Sequence, residues 1–409
     1  VSLPAWAAEP LSLREAQALA AGRSQQLVAN GASIAASRQM AVAAAQLPDP
    51  VLKLGIENLP INGPDRLSLS RDFMTMRRIG LMQEWPREEK RRLRAERFER
   101  EAIRTEAERR LNLANIHRDT ALAWLERHYV RQMRELVLRQ MQETRLQVQA
   151  AESGFGTGRS SQADVFAARA AVALLEDRLS QIERQEKNTA LMLARWVGPD
   201  AERPSAGAPA WQTSFLEHGR LEEHIQSHPD LVMLRAQVEQ AQTEARLAQS
   251  NKQSDWSVEA GYSQRGPAYS NMVSLGVSIP LQWDQKSRQD RELAARLALV
   301  DEARARYEEM LRSHDAELRS LLNEWNNGKA RVARYRDALI PLAGQRSEAA
   351  LTAYRTGKAD LAAALAARRD EVDVRMQALT IEMETARAWA QLNFLIPEHS
   401  LAAQRQDQP

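Results

Sequence analysis

Between Arg87 and Ser153 the chain runs for 67 residues without a glycine or a proline. The positions are filled mainly by Ala, Leu, Arg, Glu and Gln, all good helix formers. At ~1.5 Å per residue an unbroken helix of that length reaches roughly 100 Å, several times what a globular domain holds. Such a helix has to belong to a coiled coil or to the wall of a tube. Further breaker-free runs follow, from Arg159 to Val197, Asp230 to Ala260, Leu281 to Asn327 and Lys358 to Ile396. Gly154, Gly156 and Gly158 cluster as a turn, and Gly198, Pro199, Pro204, Gly207 and Pro209 read as a linker. Gly328, Pro341 and Gly344 interrupt only lightly, while Gly357 marks another turn.

The pattern occurs twice. Phe155-Gly156-Thr157-Gly158-Arg159 recurs as Tyr354-Arg355-Thr356-Gly357-Lys358, 199 residues later, and Phe166-Ala167-Ala168-Arg169 recurs at the same offset as Leu365-Ala366-Ala367-Arg368. Two halves of roughly 200 residues therefore form an internal duplication, too long in period for a solenoid. The expected boundaries are a start at 1–10, a first repeat at 11–200, a linker at 201–220, a second repeat at 221–398 and a tail at 399–409. Helices are expected near 87–153, 159–197, 284–353 and 358–396.

Four segments abandon the helical period and alternate instead. Leu52, Leu54 and Ile56 oppose Lys53, Gly55 and Glu57; Ile79, Leu81 and Trp85 oppose Arg78, Gly80 and Glu84. In the second half Trp256, Val258, Ala260 and Tyr262 oppose Ser257, Glu259, Gly261 and Ser263, and Val273, Leu275, Val277 and Ile279 oppose Ser274, Gly276 and Ser278. A period of two with one small or polar face predicts strands, near 51–59, 75–85, 256–264 and 272–282. At about nine residues each they match a tilted strand that crosses a bilayer. A soluble sheet packed on helices would alternate in the same way. Four strands cannot close a membrane barrel, which needs about eight or more. An open sheet in lipid leaves its edges unsatisfied, so membrane strands here require several copies of the chain.

Composition narrows the classes. Lys and Arg number 56 against 54 Asp and Glu, too balanced for a dedicated nucleic-acid binder. With no cysteine there are no disulfides, thiolate metal sites or thiol nucleophile, nor an N-terminal cysteine for lipid attachment. No apolar stretch approaches 18 residues, so no helix is expected to cross a bilayer. Ala5-Trp6-Ala7 has the small-residue spacing found at the end of a secretory signal, which would make residues 1–10 a processed remnant.

The chain resembles the outer-membrane efflux family, the channels of TolC type, over about 390 residues. The resemblance rests on the duplicated halves, on Gln46-Leu47-Pro48-Asp49-Pro50, on the Phe155-x-x-Gly158 and Tyr354-x-x-Gly357 turns, and on Ser227-His228-Pro229-Asp230-Leu231. Within the family, Leu47 to Arg92 is most similar to channels that partner heavy-metal resistance pumps, through Asn58-Leu59-Pro60, Asp72 to Arg78 and Gln83 to Arg87. The resemblance implies an α+β membrane protein, mostly α. Long helical hairpins would form a periplasmic α-barrel, and four strands per chain would join a trimeric, twelve-stranded β-barrel in the outer membrane of a Gram-negative bacterium. It implies a homotrimer, a periplasmic adaptor and an inner-membrane proton-driven pump of the RND type as partners, outer-membrane lipid around the barrel, and no cofactor, catalysis or nucleic acid. Heavy-metal cations are the expected cargo. A multidrug or organic-solute channel of the same family is the alternative, and a soluble periplasmic coiled-coil adaptor is the alternative of another class.

Site residues follow from this frame. Gly154, Gly158, Arg159, Asp164, Gly357, Lys358 and Asp360 are expected at the periplasmic aperture, where the adaptor docks. The family often places an acid after the turn in the pattern Asp-Val-Leu; the first copy has Asp164-Val165-Phe166, but the second has Ala363-Ala364-Leu365 with Asp360 upstream. Trp85 and Trp283 would form a membrane-interface belt. Met74, Met76 and Met82 offer thioethers that suit Cu(I) or Ag(I), although hairpin packing or a water-facing surface explains them as well, and no metal site is assigned. His224 and His228, spaced i, i+4 beside Glu222, Glu223 and Asp230, read as an exposed polar turn rather than a divalent site. The basic run Arg87, Lys90, Arg91, Arg92, Arg94, Arg97 and Arg100 is interleaved with Glu and reads first as a solvated helix face, with a place beside lipid headgroups at the membrane–periplasm boundary as the functional alternative.

Overall fold

The computed structural model describes residues 9–158, 160–214 and 225–394. It is mostly helical, with four antiparallel strands. In chain order the elements are α1 (Leu13–Arg23), α2 (Gln25–Ala45), β1 (Val51–Glu57), β2 (Met76–Trp85), α3 (Glu88–Gly156), α4 (Gln162–Val197), α5 (Pro229–Ser250), β3 (Trp256–Gln264), β4 (Met272–Ser278), α6 (Gln289–Arg334), α7 (Ile340–Arg355) and α8 (Leu361–Asn393). No described helix is long and apolar enough to cross a membrane.

The breaker-free run becomes a single helix: α3 holds 69 residues. It continues through Gly154 to Gly156, so Gly154 is helical and the turn begins only at Thr157. Gly154 is small for a different reason. A Cβ there would lie 2.4 Å from Oγ of Ser160, on the segment that folds back over the helix end. Gly328 likewise sits inside α6, where a Cβ would meet Oγ1 of Thr385 on α8 at 2.3 Å, so it permits a close helix contact. Pro341 is accommodated by a π turn over Tyr335–Leu339. The wider turn precedes the residue that has no N–H and whose ring crowds the preceding turn.

The chain divides into two compact units. The first comprises Val1–Leu27, Arg110–Pro229 and Leu311–Pro409 and is helical. One of its core clusters joins Val130, Met133 and Val137 of α3 to Ile182 of α4, with Met376 and Leu379 of α8 against it. Two tryptophans pin this unit to its connecting segments. The buried Trp124 of α3 donates its indole N–H to the Leu11 carbonyl at 3.0 Å, and Trp325 of α6 donates to the Trp211 carbonyl at 2.9 Å. Donors and acceptors lie 201 and 200 residues apart, so the duplication extends to a side-chain contact.

The second unit comprises Val28–Arg109 and Asp230–Met310 and contains one sheet of order β1-β2-β3-β4, antiparallel throughout. β2 and β3 have ten and nine residues, while β1 and β4 stop at seven. β1 ends before the expected Leu59 because Asn58 turns the chain with φ 55°. β4 ends before Gln282 because Pro280 has no N–H for the ladder. The basic run after β2 is only partly solvated. Lys90 is buried, where its ammonium meets Asp255 at 3.0 Å, and Arg91 donates to the Ala45 carbonyl.

Candidate functional site: a two-faced sheet and two helix turns

The strand register sorts every side chain of the sheet onto one of two faces. Leu52, Leu81, Ala260 and Leu275 form one cross-strand row, and Leu54, Ile79, Tyr262 and Val273 form the next. These rows are apolar and uncovered, Leu54 being 70% exposed, Val273 75% and Leu275 80%, while Gln83 at one end and Arg77 and Gln264 at the other bring polar side chains to the same face. Isolated exposed Leu or Val is ordinary, but a contiguous apolar face of this kind marks a surface that meets lipid or protein.

The opposite face is polar. Its rows are Val51, Met82, Glu259 and Gly276; Lys53, Gly80, Gly261 and Ser274; and Gly55, Arg78, Ser263 and Met272. Nζ of Lys53 lies 2.5 Å from Oε2 of Glu259, and Arg78 bridges Oε1 of Glu259 and Oε1 of Glu57, each at 2.8 Å. The glycines make room for this network, since a Cβ on Gly261 would fall 2.9 Å from Nε of Arg78. Sequence reading separated the two faces but missed the network, because it joins residues 206 positions apart. Beyond the strands, Arg265 donates to the Phe73 carbonyl at 3.1 Å, which ties the two hairpin loops together.

Trp85 lies on the apolar face, stacked on Trp256 with ring centroids 5.2 Å apart. Trp256 was legible only as a strand residue. Trp283 lies past the end of β4 and is 88% exposed. Met76 and Met82 fall on the polar face of β2, whereas Met74 precedes the strand, its N–H bonded to the Asp72 carboxylate. Met76 and Met82 stand six residues apart on that strand, roughly 20 Å, so the three thioethers are not gathered at one point.

In the helical unit the turns between α3 and α4 and between α7 and α8 share their hydroxyl bonds and their glycine conformation, although the Thr157 N–H bonds the Gly154 carbonyl and the Thr356 N–H the Thr352 carbonyl. Thr157 and Thr356 each return a hydroxyl to the carbonyl four residues earlier, and Gly158 and Gly357 both take φ 72°. That left-handed backbone is what glycine permits. The N–H of Lys358 closes the second turn onto the Ala353 carbonyl. At the common offset, Ser161 and Asp360 are the N-caps of α4 and α8. Asp360 accepts the N–H of Ala363 at 2.8 Å. Asp164 completes a capping box with Ser161, whose hydroxyl and backbone N–H hold its carboxyl below the usual carboxylate range. The acids expected at the aperture therefore each occupy a helix start. The two turns pack together through Ala151, Val165, Ala168 and Leu361, and Ser160 Oγ lies 3.4 Å from the Tyr354 hydroxyl. Arg159 lies outside the described residues.

Behind the turns, Ala167, Ala171 and Leu174 of α4 and Ala362, Leu365 and Ala366 of α8 line a shallow groove. It is crossed by the Arg178–Asp373 ion pair at 2.6 Å. His228 is buried, not on an exposed turn, and meets His314 with ring centroids 4.1 Å apart and the planes tilted by 38°, a pairing the spacing did not reveal; His224, Glu222 and Glu223 lie outside the described residues. Among the described residues no group of three or more His, Asp or Glu is placed to hold a metal ion.

Comparison with known proteins gives the geometry a context. Residues 221–397 match the family model described as outer membrane efflux protein. No curated protein matches the chain. The solved outer-membrane channel OprN is similar with a TM-score of 0.79 at 16% identity, covering 94% of this chain and 89% of that one. CusC, whose structures describe folding and transmembrane channel formation, gives 0.76 at 13% identity, covering 94% and 91%. The outer membrane protein VceC from Vibrio cholerae gives 0.71 at 19% identity, covering 92% and 96%. The second half of the chain thus matches the outer membrane efflux proteins, and nearly the whole chain is similar in fold to outer-membrane channels.

Proposed function

We propose that the chain is one protomer of a trimeric outer-membrane efflux channel, the passive exit duct of a tripartite pump that exports heavy-metal cations. The observation that carries the channel is the sheet. One face is apolar and exposed, the other is polar and charged, and four strands are too few to close. Three copies edge to edge would give twelve strands, the apolar faces towards lipid and the polar faces around a water-filled lumen. A soluble coiled-coil adaptor has no use for such a sheet. The hairpin turns at Gly158 and Gly357 are the proposed docking points for the periplasmic adaptor. The alanine-lined groove behind them would let a partner helix approach closely.

Heavy-metal cargo is supported by the Leu47 to Arg92 stretch. Fold similarity extends to CusC and to other outer-membrane channels alike, so it does not choose between metals and organic solutes. The test is a susceptibility panel on a strain lacking this chain, across copper, silver, zinc, cobalt, cadmium and several drugs. Selective sensitisation to one metal group is expected. Sensitisation to drugs with no change for any metal would overturn the cargo assignment.

A further inference from the structure

Lys53, Glu57, Arg78 and Glu259 carry two positive and two negative charges, all on the polar face of the sheet and all joined by contacts of 2.5 to 2.8 Å. Glu259 is the shared anion, one oxygen on Lys53 and the other on Arg78. Glycines flank three of the four across the strands, Gly80 opposite Lys53, Gly55 opposite Arg78 and Gly276 opposite Glu259, while Met82 flanks Glu259 on its other side and Met76 pairs with Glu57. The four side chains remain 24–43% exposed to whatever fills the space above that face.

We propose that this quartet sets the ion preference of the lumen, with Glu259 as its charge-balancing, specificity-determining residue. The inference rests on the channel reading above, which turns this face towards the water-filled path. Opposite charges less than 3 Å apart present almost no net field to a passing ion. A single unpaired charge acts over about 10 Å at moderate salt. Loss of Glu259 leaves a net positive quartet in every protomer, and loss of Lys53 leaves a net negative one. Rings of like charge are how pores select between cations and anions.

The test is the zero-current potential of the full-length oligomer in planar lipid bilayers under a KCl gradient. Glu259→Gln is expected to shift the permeability ratio about twofold or more towards anions, and Lys53→Gln towards cations. The double variant should return to the parent value, and Glu259→Asp should stay near it. Raising the salt towards 1 M should erase the shifts, as the screening length falls to about 3 Å. Two single variants that leave the potential unchanged, or move it in the same direction, would overturn the proposal while leaving the channel intact. Absence of conductance from the assembled parent protein would instead overturn the channel reading. If Glu259→Gln fails to assemble as an oligomer, Lys53→Gln and Arg78→Gln decide the matter, since both must shift towards cations.

Discussion

Glu382 on α8 shows how one side chain can work against its own fold. It is half-buried, and burial pushes its carboxyl above the usual range, more than Arg336 pulls it down. An acid with a raised folded pKa favours the folded state while protonated. That stability is fully present below the unfolded value of about 4.3 and is lost as pH rises through the folded value. At pH 7 Glu382→Gln should therefore raise the thermal midpoint, by about 2 °C given that part of the group meets solvent. The difference from the parent should vanish near pH 4 in matched melts. Tyr129, whose phenol is pushed up by burial and then by Glu382, should lose part of that shift in the same variant. None of this was legible from residue types, because burial of a single Glu on a long helix depends on which helices surround it. Asp164 shows the other side: the sequence marked it out, and its position three residues after Ser161 is a capping-box spacing that the turn pattern already contained.

At the scale of elements, the long helices were legible because breaker-free runs supply most of α3 and all of α4 and α8, and the strands because alternation cannot be mistaken for a helical stripe. Strand ends and helix interruptions were not legible. Asn58 ends β1 by a backbone angle, and Pro341 is absorbed in a π turn instead of ending its helix. The paired tryptophans also went unread, although their offset of 201 is close to that of the turns. They make a sharp comparison. The Leu11 carbonyl also accepts a bond from the N–H of Ala206. Trp124→Phe and Trp325→Phe each remove one indole hydrogen bond at corresponding places, so each should cost about 1 kcal/mol beyond the lost packing. Chemical unfolding of the purified protein should place the two variants within about 1 kcal/mol of each other, and a large loss at one site with none at the other would show that the duplicated contacts are not equivalent.

For the whole molecule, the proposed channel turns one face of the sheet to lipid and the other to water. The alternation was in the sequence, but the pairing that aligns Leu275 with Leu81 and Leu52, and Ser274 with Gly80 and Lys53, required the fold. The absence of cysteine makes the claim directly measurable. Nitroxide labels placed one at a time on introduced cysteines from Met272 to Ser278, in the full-length protein reconstituted in lipid, would report collisions with oxygen and with a water-soluble nickel chelate. The expected result alternates with a period of two: oxygen dominates at residues 273, 275 and 277, and nickel dominates at 272, 274, 276 and 278. Equal nickel access on both faces would contradict the account, since a sheet wetted on both sides does not line a membrane channel.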